Sequence, residues 1–458
     1  MKLIKKIPVV IVILALLYGI NYAWRALPII SGYGSKMLCS CVMLAGRQPD
    51  DVIKNELGRF PLTLGSFSAN FTDSSATGSV FGLAVKKAVY RKGLGCSLIN
   101  EISEDEFRHQ HFTIAVPPPV NTDTIPWPLG DKLSDSLPTH IDFEKLDAVI
   151  QDAFHEPGPE KLRRTRSIVV VYNGQIVAEK YAGGFDRKSR QIGWSMTKSI
   201  TNALVGILVR QGKLEINERA PIDAWKNDDR NKITVNHLLH ASSGLAWVEN
   251  YGAPSDATNM LFKKKDMGLF AAGHRAVYEP ETRFQYSSGT TNILSWIIRQ
   301  KVGNSMYHRF PSQELFYKIG VYSAVMEPDA GGTFVGSSYS FATARDWARF
   351  GLFYLNDGVS NGERILPEEW VKYTVTPAPA APKGEYGAQF WLNAGAPGNN
   401  INRYYPDAPT DLYLAEGYEG QNVFIIPSKK LVIVKLSLSQ GDYLDDNKFL
   451  ADIVKAFP

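Results

Sequence analysis

Two stretches rich in apolar and β-branched residues, far apart in the chain, predict β-hairpins. The stretch SIVVVYNGQIVAEKYAGG has Asn173-Gly174 between its two apolar runs, a dipeptide that two-residue hairpin turns prefer. The stretch NVFIIPSKKLVIVKLSLS turns at Pro427 to Lys430, and DNKFLADIVKAF near the C-terminus has the spacing of an amphipathic helix. We expect the two hairpins to form one antiparallel sheet built from both ends of this part of the chain.

The segment between the hairpins has mainly helical spacing. In SITNALVGILVRQGKL, four apolar residues share one helix face and Gly212 marks the C-terminal end; they are Ile200, Leu204, Ile207 and Leu208. ITVNHLLHASSGL and TNILSWIIRQKVG are further helical signals that end in glycine. The middle of the chain is therefore predicted to be a largely helical insertion into the sheet.

The N-terminus has the pattern of a segment that enters a membrane. Lys2, Lys5 and Lys6 precede an apolar run from Ile7 to Ile20, and two aromatic residues, Tyr22 and Trp24, follow it. The apolar run has the length of a signal-peptide core, but no small-x-small cleavage site follows closely. We expect an uncleaved single-pass anchor in the inner membrane with the rest of the chain in the periplasm; the alternative is secretion to the periplasm after cleavage.

The chain divides into three predicted parts: residues 1–30 as the anchor, 31–136 as an N-terminal extension with a proline-rich linker, and 137–458 as the catalytic domain. Within the extension, SVFGLAVKKAVYRKGLGCSLI is interpreted as strand, basic turn and strand. The linker VPPPVNTDTIPWPLGDKL is expected to follow a surface.

Composition narrows the classes of partner and cofactor. A net charge of +4 over 458 residues, without a long basic run, gives no reason to expect a nucleic-acid partner. Three cysteines occur, Cys39, Cys41 and Cys96, and in an exported chain Cys96 could pair with either of the others. The alternative is that they are buried free thiols. No histidine lies at ligand spacing beside them, so no metal site and no cofactor are predicted.

The stretch GWSMTKS contains the first candidate for catalysis. Ser195 and Lys198 stand three residues apart at the predicted start of a helix, so they lie on the same side of it. A buried lysine favours its neutral form, and a neutral amine beside a hydroxyl can take the hydroxyl proton. The helix N-terminus also favours negative charge near Ser195. The alternative is that Ser195 only caps the helix.

Two later stretches supply companions for this pair. RFQYSSGTTNIL contains Tyr286, which could share a proton with Lys198 and pass it to a leaving group, and then Ser288. AEGYEGQNVFIIP is a glycine-rich bend before the second hairpin. An edge strand here could present the N–H of Gln421 across from that of Ser195 as an oxyanion hole, with Gly420 leaving space for substrate.

Taken in order, these motifs resemble those of the serine β-lactamases and penicillin-binding proteins. ITVNHLLHASSGL is similar to a signature of the class C β-lactamase-related branch. WVENYGAPSDATNMLF, GGTFVGSSYSFATARDWARFGLFYLNDG and GYEGQNVFIIPS resemble the 6-aminohexanoate-dimer hydrolase-like serine hydrolases. The resemblance covers roughly residues 140–455. It implies an α/β fold of the β-lactamase/transpeptidase type, with an antiparallel sheet flanked by helices plus a largely helical domain, and an acyl-enzyme on Ser195.

Two departures from the family pattern bear on the substrate. Penicillin-recognising members have a lysine where this chain has Tyr418, and a tyrosine cannot supply a cation for a substrate carboxylate. Ser288 replaces the asparagine of β-lactamases in the second motif. Both favour a small-molecule linear amide or carboxylic ester over a β-lactam. The alternatives are a β-lactam or peptidoglycan hydrolase and a non-catalytic binding protein on the same scaffold.

Ser288 and Tyr418 are also predicted to contact the substrate, with the alternative that Tyr418 only packs beside the site, and four further side chains are candidates. Tyr251 and Trp391 are candidates for walls of the substrate pocket. His237 and His240 are interpreted as structural, because no carboxylate or third ligand stands near them in the sequence.

Overall fold

The computed structural model describes residues 7–398, 402–439, 441 and 443–458, which fall into two compact units. The first unit comprises Met1–Gln110, Trp247–Phe270 and Pro328–Gly332, and the second comprises His111–Ala246, Ala271–Glu327 and Thr333–Pro458. Both units are discontinuous in sequence. The predicted parts with boundaries at residues 30 and 136 are continuous segments, and that assignment stays a prediction.

The helices of the described residues are listed here in chain order: α1 Ile7–Cys39, α2 Pro49–Asn55, α3 Glu104–Arg108, α4 Phe143–Phe154, α5 Thr197–Arg210, α6 Val235–Leu239, α7 Asp256–Lys263, α8 Met267–Ala272, α9 Ser288–Val302, α10 Asn304–Tyr307, α11 Ala344–Leu355, α12 Trp370–Thr374 and α13 Asp446–Val454. Helix α9 ends before Gly303, whose φ of 80° suits a glycine that terminates a helix. The helical middle segment was therefore predicted in the right place.

The strands are β1 Gly65–Asn70, β2 Ser75–Val80, β3 Leu83–Arg91, β4 Gly95–Leu98, β5 Thr165–Tyr172, β6 Gln175–Tyr181, β7 Gln191–Ile192, β8 Val325–Met326, β9 Ser340–Ala342, β10 Val359–Ser360, β11 Glu363–Arg364, β12 Trp391–Leu392, β13 Tyr413–Gly417, β14 Gln421–Ile426 and β15 Leu431–Ser437. The main sheet of the second unit has the order β12-β13-β14-β15-β5-β6 and is antiparallel throughout. Both predicted hairpins and their union in one sheet are confirmed.

The core of the second unit lies between this sheet and the helices α4 and α13. Side chains from alternate positions of the central strands meet apolar residues of both helices, and burial of this surface stabilises the fold. The buried members include Leu146, Ile150, Ile168, Val170, Phe424, Ile433, Phe449 and Leu450. On α11, Gly351 allows close packing, because a Cβ there would lie 2.5 Å from a methyl carbon of Val432.

The first unit consists of α1 packed on the antiparallel sheet β1-β2-β3-β4, with further helices around it. The disulfide joins Cys39 at the end of α1 to Cys96 in β4, which selects one of the two predicted pairings, and Cys41 is buried outside it. The predicted basic turn is partly wrong. Lys86 and Lys87 lie within β3, where Lys87 forms ion pairs with the carboxylates of Asp73 and Glu104, and the turn comes later, at residues 92–94 between β3 and β4.

Helix α1 changes character along its length. Between residues 11 and 24 its large apolar side chains are exposed, whereas from Ile30 onward nearly all of its side chains are buried. Among the described residues it is the helix long and apolar enough to cross a membrane, judged by length and composition only, and a signal sequence has the same properties. The predicted anchor is thus continuous with a helix of the first unit.

Candidate active site

Ser195 lies in a tight turn, Trp194–Met196, that leads directly into α5. The residue before it, Trp194, has a φ of 47°, a left-handed conformation that is costly for a bulky side chain. The Trp194 ring is buried and contacts the rings of Tyr339 and Tyr418. Packing therefore holds a strained backbone immediately before Ser195.

Lys198 is 2% exposed, and its Nζ lies within hydrogen-bonding distance of three oxygen atoms. The distances are 3.1 Å to Ser195 Oγ, 3.1 Å to Ser288 Oγ and 3.0 Å to the carbonyl oxygen of Ser337. The structure thus brings together the three side chains that the first two motifs predicted. Ser337 was not predicted, because a backbone carbonyl acceptor leaves no mark on the sequence.

Tyr286 contacts the same amine through its ring. Nζ of Lys198 lies 4.7 Å from the centre of the Tyr286 ring, a distance at which the ring face stabilises a cation. The Tyr286 ring is stacked on Trp391 with 5.3 Å between the ring centres. Trp391 and Tyr286 therefore lie together beside Lys198, and the role of Trp391 as a wall of the substrate pocket stays a prediction.

The turn between β13 and β14 forms the opposite side. Tyr418 is 46% exposed and its ring meets that of Trp194 edge to face at 5.8 Å. Gly420 has a φ of 80°, and Ser437 Oγ donates to the carbonyl oxygens of Glu419 and Gly420. Gly420 is thus needed for the turn itself, and a Cβ there would lie 2.4 Å from Ser437 Oγ.

The structure corrects the strand position predicted for Gln421, whereas the role of its backbone N–H in an oxyanion hole stays a prediction. Strand β14 lies between β13 and β15, so the prediction of an edge strand at this point is wrong. The Gln421 side chain is 2% exposed and its Nε2 donates to the carbonyl oxygens of Tyr418, Glu419 and Ser437. These hydrogen bonds from the Gln421 side chain stabilise the turn between β13 and β14.

One cavity of about 500 Å³ opens beside Ser195. Its lining residues are Arg163, Thr165, Ser195, Tyr286, Trp391, Tyr404, Glu416, Gly417, Tyr418, Glu419, Gly420, Asn422, Lys435, Ser437, Ser439, Gly441, Leu444 and Asp446. Tyr251, a predicted wall residue, is not among them. It belongs to the first unit, where its hydroxyl donates to Glu249 at 2.6 Å.

The cations of this cavity have carboxylate partners within the protein. Lys435 forms an ion pair with Asp446, and Arg163 lies 3.2 Å from Asp152. Asn422 is 2% exposed, and its Oδ1 has no hydrogen-bond partner among the described residues. The lining of the cavity is therefore partly polar, and it includes an acceptor that a substrate donor could satisfy.

His237 and His240 serve the short helix α6. His237 and Thr234 form a reciprocal capping box, in which each side chain accepts a hydrogen bond from the other residue's backbone N–H. Burial lowers the pKa of His237. Among the described residues no group of three or more His, Cys, Asp or Glu side chains could hold a metal ion.

His240 makes the stability of the protein depend on pH. Burial, with a smaller contribution from His237, lowers the pKa of His240 to about 4. In the unfolded chain the His240 imidazole binds a proton near pH 6.5, whereas in the folded protein it does so only near pH 4. The contribution of His240 to the free energy of unfolding is therefore complete above pH 6.5 and decreases as the pH falls toward 4, by up to about 3 kcal/mol. His240→Phe, which retains a ring beside Tyr373, should make the melting temperature change less between pH 7 and 4.5 than it does in the unsubstituted protein. An unchanged pH dependence in the variant would contradict this account.

An antiparallel sheet that joins a hairpin at residues 165–181 to strands at residues 391–437, with a serine just before a buried helix and a lysine one turn later, is typical of the β-lactamase/transpeptidase-like fold of serine hydrolases. The chain belongs to the Beta-lactamase family, which it matches over residues 150–455. It is 26% identical over 299 residues to the 6-aminohexanoate-dimer hydrolase of Paenarthrobacter ureafaciens, covering 60% of this chain and 72% of that one.

Two solved structures share the fold. A candidate 6-aminohexanoate-dimer hydrolase from Bacillus anthracis aligns with a TM-score of 0.56 and 23% identity, covering 71% of this chain and 87% of that one. A penicillin-binding protein homologue from Caulobacter crescentus aligns with a TM-score of 0.53 and 15% identity, covering 71% of this chain and all of the other. Together with the family match, these relatives make the chain a serine hydrolase.

Proposed function

We propose that Ser195 is the nucleophile of a hydrolase that cleaves a linear amide or carboxylic ester through an acyl-enzyme. The observation that carries this proposal is the contact of 3.1 Å between Ser195 Oγ and the buried amine of Lys198. Neutral Lys198 takes the hydroxyl proton while Oγ attacks the carbonyl carbon of the substrate. Lys198 and Tyr286 return a proton to the departing amine or alcohol, and a water molecule then cleaves the acyl-enzyme by the same steps in reverse.

The oxyanion of the tetrahedral intermediate is held by the backbone N–H groups of Ser195 and Tyr418, the latter in place of Gln421. Gly417, the residue before Tyr418, packs so closely on the turn of Ser195 that a Cβ would lie 2.1 Å from the carbonyl oxygen of Gly193. This contact supports a donor at Tyr418 close to Ser195. Donors fixed beforehand around the developing charge are commonly the largest contribution to such catalysis.

Gly417→Ala is expected to lower kcat/KM about 100-fold, because the added methyl group forces the strand away from Gly193 and displaces one oxyanion donor. The measurement is ester hydrolysis, with the melting temperature recorded beside it. Gly183→Ala is the matched control, since a Cβ there meets no atom within 4 Å. Equal activity of the two variants would contradict the placement of the donor.

The cavity favours a substrate without an obligatory carboxylate beside Tyr418. Its two cations, Lys435 and Arg163, form ion pairs with Asp446 and Asp152, and the carboxyl groups of Glu416 and Glu419 also line the cavity. A β-lactam carboxylate would have to displace one of these ion pairs. The relative named as a 6-aminohexanoate-dimer hydrolase supports a linear amide as the substrate class.

The proposal is tested with the full-length chain in detergent, a fluorophosphonate probe and three chromogenic substrates. We expect the probe on the Ser195 peptide, turnover of p-nitrophenyl butyrate and 6-aminohexanoyl-p-nitroanilide, and at least about tenfold slower turnover of nitrocefin. Nitrocefin as the best substrate would favour a β-lactam hydrolase. No labelling of the folded chain would sink the assignment of Ser195 and favour a binding protein, whereas labelling of Ser288 instead would make Ser288 the nucleophile.

We also propose that the chain is held in the inner membrane by α1, with both units in the periplasm. The exposed apolar side chains of residues 11 to 24 and the disulfide Cys39–Cys96 support this location. Carbonate-washed membranes should retain the full-length chain, and protease added to spheroplasts should digest it. Recovery of a shortened chain in the soluble periplasmic fraction would support cleavage and secretion instead.

A further inference from the structure

Four exposed apolar side chains of the first unit lie at one end of its sheet, and they are Phe60, Phe81, Leu83 and Val85. Phe81, Leu83 and Val85 are 73%, 54% and 61% exposed and belong to the β2–β3 turn and the strand that follows it. Phe60, 77% exposed, precedes β1, whose first residue Gly65 pairs with Val80 beside that turn. The opposite end of β2 differs, since Asp73, Lys87, Glu104 and Arg108 form ion pairs there.

Phe81 occupies a conformation that its side chain disfavours. Its φ is 53° and that of Gly82 is 73°, as in a two-residue hairpin turn in which both positions are left-handed. Asn, Asp and Gly suit the first position of such a turn, and a bulky aromatic residue does not. An exposed phenylalanine at this place therefore adds strain without any burial inside the protein to offset it.

This end of the sheet lies beside the point where α1 leaves it. A Cβ on Gly78 would lie 2.7 Å from the carbonyl oxygen of Ser31, so Gly78 of β2 and Ser31 of α1 lie at the same level along the helix axis. The disulfide places Cys96 of β4 at the level of Cys39, farther along the helix. The sheet between these levels therefore runs along the buried half of α1.

The position of the β2–β3 turn along the axis of α1 follows from the rise per residue of the helix and of the strand. From Ser31 back to Trp24 the helix rises about 10 Å, and from Gly78 forward to Phe81 the strand rises about 10 Å. The turn at Phe81 therefore reaches the level of Trp24, which is 72% exposed at the end of the apolar part of α1. Tryptophan in this position is typical of the boundary between lipid and water.

A cluster of basic groups lies between the level of Trp24 and that of Ser31, where Lys86 pairs with Gly78. Lys263 Nζ donates to the carbonyl oxygen of Arg25, and the positive charges of Arg25, Lys86 and Lys264 lower the pKa of Lys263 further than burial alone does. Glu101 is the carboxylate that pairs with Lys264 among these groups. The cluster is net positive, which suits anionic lipid headgroups.

We propose that this end of the first unit rests on the bilayer surface, with the apolar side chains of the β2–β3 turn at the boundary of the hydrocarbon and the basic cluster among anionic phospholipid headgroups. The occupant of the apolar patch is thus the same bilayer that α1 enters. The contact adds a second membrane attachment to the helix and is independent of any catalytic role of Ser195.

The test uses the full-length chain in nanodiscs of phosphatidylcholine and phosphatidylglycerol at 7:3, with a nitroxide on one introduced cysteine at a time. Phe81→Cys and Val85→Cys report on the proposed contact, and Phe71→Cys, at the other end of β2, is the matched control because Phe71 is 65% exposed. Leu17→Cys reports whether α1 is in the bilayer, and the unsubstituted chain measures any labelling of Cys41.

We expect labels at 81 and 85 to collide at least threefold less often with a water-soluble nickel complex than the label at 71, and more often with oxygen. Nanodiscs of phosphatidylcholine alone should reduce this difference, since the basic cluster then lacks anionic headgroups. If the label at position 17 is shielded from the nickel complex while the labels at positions 81 and 85 are as accessible as the label at position 71, the proposal is overturned. It is likewise overturned if 17 is accessible, or if 71 is shielded as strongly as 81.

Discussion

Ser195→Ala is expected to lower kcat/KM for p-nitrophenyl butyrate by about 10⁴- to 10⁶-fold, because the variant has no atom that can form the acyl bond. The change removes one hydroxyl from a half-buried position, so the fold should be retained. Lys198 would keep two acceptors, Ser288 Oγ and the carbonyl oxygen of Ser337. Melting temperatures within a few degrees of each other would show that the loss is chemical.

The matched control is Ser288→Ala, which removes the other hydroxyl bound to Lys198. Ser288 is fully buried and does not line the cavity, so its removal should leave fluorophosphonate labelling intact and lower kcat by a much smaller factor. If Ser288→Ala abolishes labelling and Ser195→Ala does not, the roles of the two serines are reversed. Both substitutions change the same lysine contact, which makes the comparison direct.

Lys198→Ala is the second substitution with a large expected effect, a loss in kcat of about 10²- to 10⁴-fold. Without the amine, Ser195 has no base within 3.1 Å to accept its proton during the attack. The substitution also leaves a buried space beside Tyr286, so part of any loss could come from reduced stability.

Chemical rescue separates these causes. A small primary amine such as ethylamine fits the space left by the side chain and should restore part of kcat in Lys198→Ala, with greater effect at higher pH, where more of the amine is neutral. The amine should have no effect on Ser195→Ala. A stable variant with full activity would exclude Lys198 as the base, and the absence of rescue in a folded, inactive variant would favour a positioning role.

Local patterns in the sequence were sufficient for the hairpins and for the lysine–serine pair. Asn173 and Gly174 both have positive φ, 47° and 81°, which is why this dipeptide is a reliable hairpin signal. Ser195 and Lys198 meet because residues three apart on a helix are neighbours. In each case the geometry is set within a few residues, so a single sequence carries it.

The sequence pattern fails where an element is defined by its contacts. Strand β14 is not an edge strand because β13 pairs with it on one side and β15 on the other, and the five residues of β13 beside a glycine-rich bend carry too weak a pattern to predict that pairing. The left-handed conformation of Trp194 likewise depends on the rings of Tyr339 and Tyr418. The glycine before Tyr418 was visible in EGYEG, but its partner, the carbonyl oxygen of Gly193, is known only from the fold.

Helix α1 continues from its exposed apolar half into the buried half without an intervening loop, and its buried end is fixed by the disulfide of Cys39 and Cys96. In a bilayer, the tilt of a helix adjusts to the thickness of the hydrocarbon. Because α1 has no flexible linker, any such tilt would be transmitted to the sheet packed on its buried half. The thickness of the surrounding membrane would then set the angle at which the first unit faces the bilayer.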